Sequence, residues 1–242
     1  DGAITGSSTI NGVGISYNIT NFTSSLLISN DAGTGTLDDA SNNTGLGHEV
    51  FDDLTSGDDN TAVGALALTK LTTGVENTAF GSQALEANTT GGSNTAIGMK
   101  AMEATTTGGN NTAVGVFAMG VNTEGQFNVA VGPNALDANT TGDSNVSIGR
   151  LSLSANTTAD NNTAVGTSAL QVNTTGTNNA SLGFSSLLSN TTGSNNTALG
   201  AYALDANTTA SSNIAIGTAA LGANTTSLYN IAVGDSALIN QT

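Results

Sequence analysis

One asparagine can be followed down the chain at a constant step. It falls at Asn43, Asn60, Asn77, Asn94, Asn111, Asn128, Asn145, Asn162, Asn179, Asn196, Asn213 and Asn230, each 17 residues after the last. Nothing is inserted or lost across the twelve copies. A short period kept this strictly restricts a chain to architectures that stack one small unit on the next. Numbered from that Asn, the unit reads N-T-A-V-G-x-x-A-L-x-A-N-T-T-G-x-N. Position 5 is Gly in all twelve copies, position 4 is always apolar, and position 9 is always Leu, Met or Phe. Position 13 is Thr in its first eleven occurrences, from Thr55 to Thr225.

Such a unit is too short for a helix pair, where periods run at about 33 residues or more. Two glycines per unit, the Thr-Thr pair and β-branched Val or Ile also oppose helix. The expectation is an all-β fold: a parallel β-solenoid, or β-roll, of about 12 coils of 17 residues over 43–242, preceded by a non-repeat β segment at 1–42. Within the unit, positions 2 to 4 read as a strand. Side-chain alternation then points the larger residues at 2 and 4 inward and the Ala or Ser at 3 outward. Position 9, as at Leu85, Leu136, Leu170 and Leu204, is expected to fill the core from a second short strand. The position-5 glycines, among them Gly64, Gly81, Gly98, Gly115, Gly132 and Gly166, end the first strand where φ is positive or a neighbouring backbone comes too close for a Cβ. Asn-Thr-Thr-Gly supplies the return turn. Stacked in register, Asn60, Asn77, Asn94, Asn111, Asn128 and Asn162 are expected to form a ladder, each amide donating to one neighbouring coil and accepting from the other.

Composition agrees with a thin core, since aromatics make up 4% of the chain and Gly numbers 31. The absence of Cys excludes disulfides, Cys-based metal sites and Cys nucleophiles. Three basic residues stand against 18 acids, for a net charge of −15. Nucleic acid is a poor partner for that surface, because phosphate binding needs clustered Lys and Arg. No apolar run approaches the ~18 residues of a membrane span, so no membrane insertion is expected. The acidity suits a soluble protein in a salty or cation-rich exterior. The chain opens at Asp1 rather than Met, as a processed or partial chain does. The expected location is extracellular, or a cell or virion surface.

Little in the sequence carries chemistry. The only His, His48, has no nucleophile paired with it by motif and is expected at the surface. Position 10 holds Asp52, Glu86, Glu103, Asp137 and Asp205, which line up on one edge of a stack. Paired carboxylates of that kind cut polysaccharide, but a charged edge that deters aggregation is the stronger expectation. Asp52, Asp53, Asp58 and Asp59 are weak calcium candidates by carboxylate density, although no EF-hand or nonapeptide spacing is present. No other cofactor is expected, and the chain is not expected to be an enzyme.

The strings FNVAVG (127–132), SNVSIG (144–149), SNIAIG (212–217) and YNIAVG (229–234) resemble the head repeat of trimeric autotransporter adhesins. The whole 17-residue unit is similar to repeat arrays of phage tail fibres and large bacterial surface proteins. The resemblance covers 43–242 and implies a β-roll, with three chains side by side in the adhesin case. The unit is longer than the adhesin repeat and carries an added Asn-Thr-Thr turn.

Residues 1–42 lie outside the register. The stretch VGISYNITNF (13–22) alternates apolar and polar, and SSLLISN (24–30) offers a second strand. This segment either caps its own first coil or covers the C-terminal edge of the next subunit. In the second case Val13, Ile15, Tyr17, Ile19 and Phe22 are the assembly residues and the contact propagates into a fibre. The expected function is a non-catalytic structural subunit of an extracellular fibre or surface appendage, with further copies of itself as partners in a filament or trimer. The alternative is a trimeric adhesin head or tail-fibre segment that binds a host surface, with surface glycans as partners. A polysaccharide-active enzyme comes third.

Overall fold

The computed structural model describes residues 6–10, 13–19, 22–29 and 36–240, with side chains for 25–29 and 36–240. Among these residues there is no helix, and sixteen strands join in one sheet. The first three, β1 (Gly6–Ile10), β2 (Val13–Ile19) and β3 (Phe22–Ser29), pair antiparallel in sequence order. A short β4 (Ala40–Ser41) lies parallel to the start of β3. Then come twelve three-residue strands at the 17-residue step, from β5 (Thr44–Leu46) and β6 (Thr61–Val63) to β16 (Ile231–Val233). Each pairs parallel with the next at equal unit positions, as Thr61↔Thr78, Ala62↔Ala79 and Val63↔Phe80 show. The chain is a β-solenoid of about twelve coils with one strand per coil.

The coil interior reverses the expected facing of that strand. Ala62, Ala79, Ala96, Ala113 and Ala130 at position 3 are fully buried, while Phe80, Ile97 and Leu182 at position 4 are exposed. Size explains the inversion. The large inward residue comes from position 9, where Leu68, Leu85, Met102, Leu136, Leu170 and Leu204 are buried without remainder, so only a methyl fits opposite. The first coil makes the exchange visible. It carries Val50 and Phe51 at positions 8 and 9, and a Cβ added to Gly45 at position 3 would lie 2.9 Å from Val50 and 3.0 Å from Phe51. Two other coils set Ser147 against Ser152 and Ser181 against Ser186, with the hydroxyls hydrogen-bonded across the interior. Position 3 therefore lies inside the coil rather than on its surface.

The expected second strand is also absent. Positions 5 to 11 form a run of turns in which positions 7 and 9 are left-handed, as at Leu66 (φ 63°) and Leu68 (φ 51°), and position 17 is too, as at Glu76 (φ 59°). Neighbouring residues Ala67 and Leu68 are both fully buried, which strict strand alternation would not allow. A left-handed non-glycine residue is unfavourable by about 1–2 kcal/mol. It persists here because contacts on both sides over-determine it. The backbone polar groups of these turns bond along the stack, Leu68 N–H to Ala84 O at 3.1 Å and Lys70 N–H to Glu86 O at 3.2 Å.

Glycine at position 5 meets both conditions that favour it. Gly166 has φ +134°, and a Cβ there would stand 2.5 Å from the carbonyl oxygen of Gly183 in the next coil.

Two asparagine ladders lie in the interior, one at position 1 along the whole repeat and one at position 12 from Asn122 to Asn207. At position 1, Asn77 N–H donates to Asn60 Oδ1 at 3.0 Å, and Asn77 Nδ2 donates to Gly91 O at 2.9 Å. The oxygen thus ties one coil to the next and the nitrogen closes its own coil. Asn60, Asn94, Asn111, Asn128 and Asn162 repeat the arrangement. A second ladder at position 12 joins side chain to side chain, Asn139 Nδ2 to Asn122 Oδ1 at 2.8 Å and Asn156 Nδ2 to Asn139 Oδ1 at 3.0 Å. These amides are fully buried, and burial is tolerable because they are hydrogen-bonded. Position 13 adds a third tie, the Thr72 hydroxyl donating to Thr89 O at 3.0 Å and so on down the stack.

The start of the stack is built by imitation. β3 runs parallel to β5, pairing Leu26↔Thr44, Leu27↔Gly45 and Ile28↔Leu46. Ser25 Oγ accepts from Asn43 N–H at 2.7 Å, the place an asparagine oxygen takes in every later coil. Leu27 packs against the core where Gly45 leaves room. β3 therefore covers the first coil of its own chain.

Candidate functional site

With Ala inward, the strands turn positions 2 and 4 to the outside. Twelve strands in register make these two parallel rows running the length of the rod. The position-4 row is Leu46, Val63, Phe80, Ile97, Val114, Val131, Ile148, Val165, Leu182, Leu199, Ile216 and Val233. Its neighbour at position 2 is mostly Thr, with two Val, two Ile and one Ala. Exposure is 57% at Phe80 and 48% at Leu182, and reaches 67% at Ile231 and Val233 in the last strand. None of the 24 residues is charged, in a chain that holds 21 charged side chains. This face is the most distinctive surface among the described residues.

The acids sit elsewhere, and several are held by hydrogen bonds within a coil or between coils. In the position-10 row, Glu86 Oε2 accepts from Gln83 Nε2 at 2.7 Å, Lys100 Nζ lies 2.9 Å from Glu103 Oε1, and Asn134 Nδ2 donates to Asp137 Oδ2 at 3.2 Å. Each partner comes from position 7 of the same coil. Asp205, in the same row, has its carboxyl pushed above the usual range by burial, against the lowering effect of backbone hydrogen bonds from its own N–H and that of Ala206. At position 16, Asp143 Oδ1 accepts from Gln126 N–H at 2.6 Å and Asp160 Oδ1 from Asp143 N–H at 2.7 Å, so acids there stitch coils together.

Of the four calcium candidates, Asp58 Oδ1 accepts from Ser41 N–H at 2.7 Å and Ser41 Oγ at 3.0 Å. Asp52 and Asp53 occupy positions 10 and 11 of the coil, Asp58 and Asp59 positions 16 and 17. Among the described residues, no three His, Asp or Glu side chains converge as a metal-holding group. His48 is exposed, with Nε2 3.5 Å from Glu49 Oε1. Val13, Ile15, Tyr17 and Ile19 lie in β2 and Phe22 in β3, and their side chains are outside the described residues. Among the described residues, no helix is long and apolar enough to cross a membrane.

No family model, no curated protein and no solved structure matches the chain.

The outward face and the position-12 ladder are the features that the sequence reading missed. A signal for the first is in the repeats themselves. Position 3 is Ser only at 147 and 181, and position 8 is Ser only at 152 and 186, in the same two coils. Where position 3 is Gly45, position 8 is Val50. Residues that change together face each other, which places position 3 inside.

Proposed function

We propose that the chain is a non-catalytic structural rod of an extracellular fibre or surface appendage. The observation that carries this is the identity of the coil-to-coil bonds. Each coil joins the next through the same strand pairing, the same Asn oxygen and the same Thr hydroxyl, so stability adds coil by coil and length follows coil number. Twelve strands at ~4.8 Å give a rod of roughly 55–60 Å. A net charge of −15 keeps it soluble, and an interior without cysteine needs no particular redox compartment.

Immunogold labelling of cells that make the protein tests the proposal. Antibodies to the purified rod should decorate surface filaments or appendages. Gold confined to the cell interior would refute it.

A further inference from the structure

From the outward sheet face we infer that a second copy of this chain packs against it, with the two rods parallel and related by a two-fold axis along their length. The inference goes beyond the rod function, which stands whether or not rods pair. Three observations point to another copy. The first is shape. The position-4 row stands above the position-2 row at Thr44/Leu46, Thr78/Phe80, Thr95/Ile97, Ala180/Leu182 and Thr197/Leu199, and the two rows are nearly level in the other strands. Turning a copy about the rod axis sets position 4 of each chain over position 2 of the other at the same height, so each taller residue meets a shorter one. The rows have the strand period of ~4.8 Å, and an identical rod matches that period over all twelve strands.

The second observation is size. About 53 Å of sheet by roughly 11 Å across the two rows gives on the order of 600 Å² before side-chain relief is counted. That approaches the ~800 Å² each partner gives to a standard interface.

The third is charge. Two chains of −15 repel, yet all 24 face positions are uncharged. Arg150 stands just past one end of the Val146–Ile148 strand and Asp143 just before the other. The two-fold brings Arg150 of each copy to the side where its partner carries Asp143. The opposite, antiparallel arrangement would set the position-4 rows on each other and lose this match.

Sedimentation equilibrium of the full chain should give twice the 23.7 kDa chain mass. An Ile97→Asp/Val131→Asp chain should return to a single mass with unchanged circular dichroism and melting temperature, since both side chains point outward. Because the chain has no cysteine, the geometry can be read with a short bismaleimide. A mixture of Thr112→Cys and Val114→Cys chains should crosslink chiefly as mixed pairs. A monomer at all concentrations, a three-chain mass, or Val114→Cys chains linking mainly to themselves would each overturn the inference.

Discussion

Thr105 interrupts the position-12 ladder between Asn88 and Asn122, and its hydroxyl is fully buried with no hydrogen-bond partner. Replacing it as Thr105→Asn should therefore stabilise the rod. The new amide would occupy nearly the same volume and repeat the geometry of Asn139, whose Nδ2 meets Asn122 Oδ1 at 2.8 Å and Gly142 O at 2.9 Å. At 105 the counterparts are Asn88 Oδ1 and Gly108 O, and the new Oδ1 would accept from Asn122 Nδ2, which otherwise donates to Gly125 O at 3.1 Å. Removing an unsatisfied buried hydroxyl is worth about 1–3 kcal/mol, and each added bond about 1 kcal/mol net. Against this stands the ordering of a freer side chain, up to ~1 kcal/mol. A net gain of about 2 kcal/mol corresponds to roughly 4–8 °C in melting temperature for a chain of this length. Thermal and urea unfolding of parent and variant measure it. An unchanged or lower midpoint would show that the position-12 amides do not act as a continuous ladder.

Other perturbations have separate readouts. Gly166→Val should lower stability by several kcal/mol, because the side chain would enter a φ of +134° with its Cβ 2.5 Å from Gly183 O; a wild-type melting temperature would contradict this. Asn128→Ala deprives Asn145 N–H and Gly142 O of their 2.9 Å and 2.8 Å bonds, and a urea midpoint shift equivalent to about 2–5 kcal/mol is expected. Burial raises the Asp205 carboxyl above its unfolded value, so the fold holds that proton more readily than the unfolded chain does. Its contribution to stability therefore falls as pH rises through the ordinary carboxylate range and levels off above the raised value. Asp205→Asn should gain stability over the parent across that window, and parallel stability–pH curves would refute the shift.

Much of the fold was legible because stacking writes itself into the period. Asn at position 1 and Gly at position 5 are each fixed by a neighbour 17 residues away, so they barely vary, and their invariance reports the contact. The facing of the strand was not legible from alternation alone. Alternation identifies two faces but does not say which one is inside, and the usual choice of the larger residues fails when the interior is only one Leu and two Ala wide. The left-handed turns left no trace because position 9 is Leu, Met or Phe, chosen for its burial rather than for its backbone preference. The position-12 ladder was hidden because Asn-Thr-Thr-Gly reads as a turn. Its interior placement shows only in Leu54 and Leu71, which take the same position in the first two coils.

The central claim, a rod whose length is set by coil number, is tested most directly by small-angle X-ray scattering on the parent and on a chain with residues 162–195, two coils, duplicated in place. The long dimension should grow by about 10 Å with the cross-section unchanged. An unchanged length with a thicker cross-section, or loss of ordered structure, would contradict additive stacking.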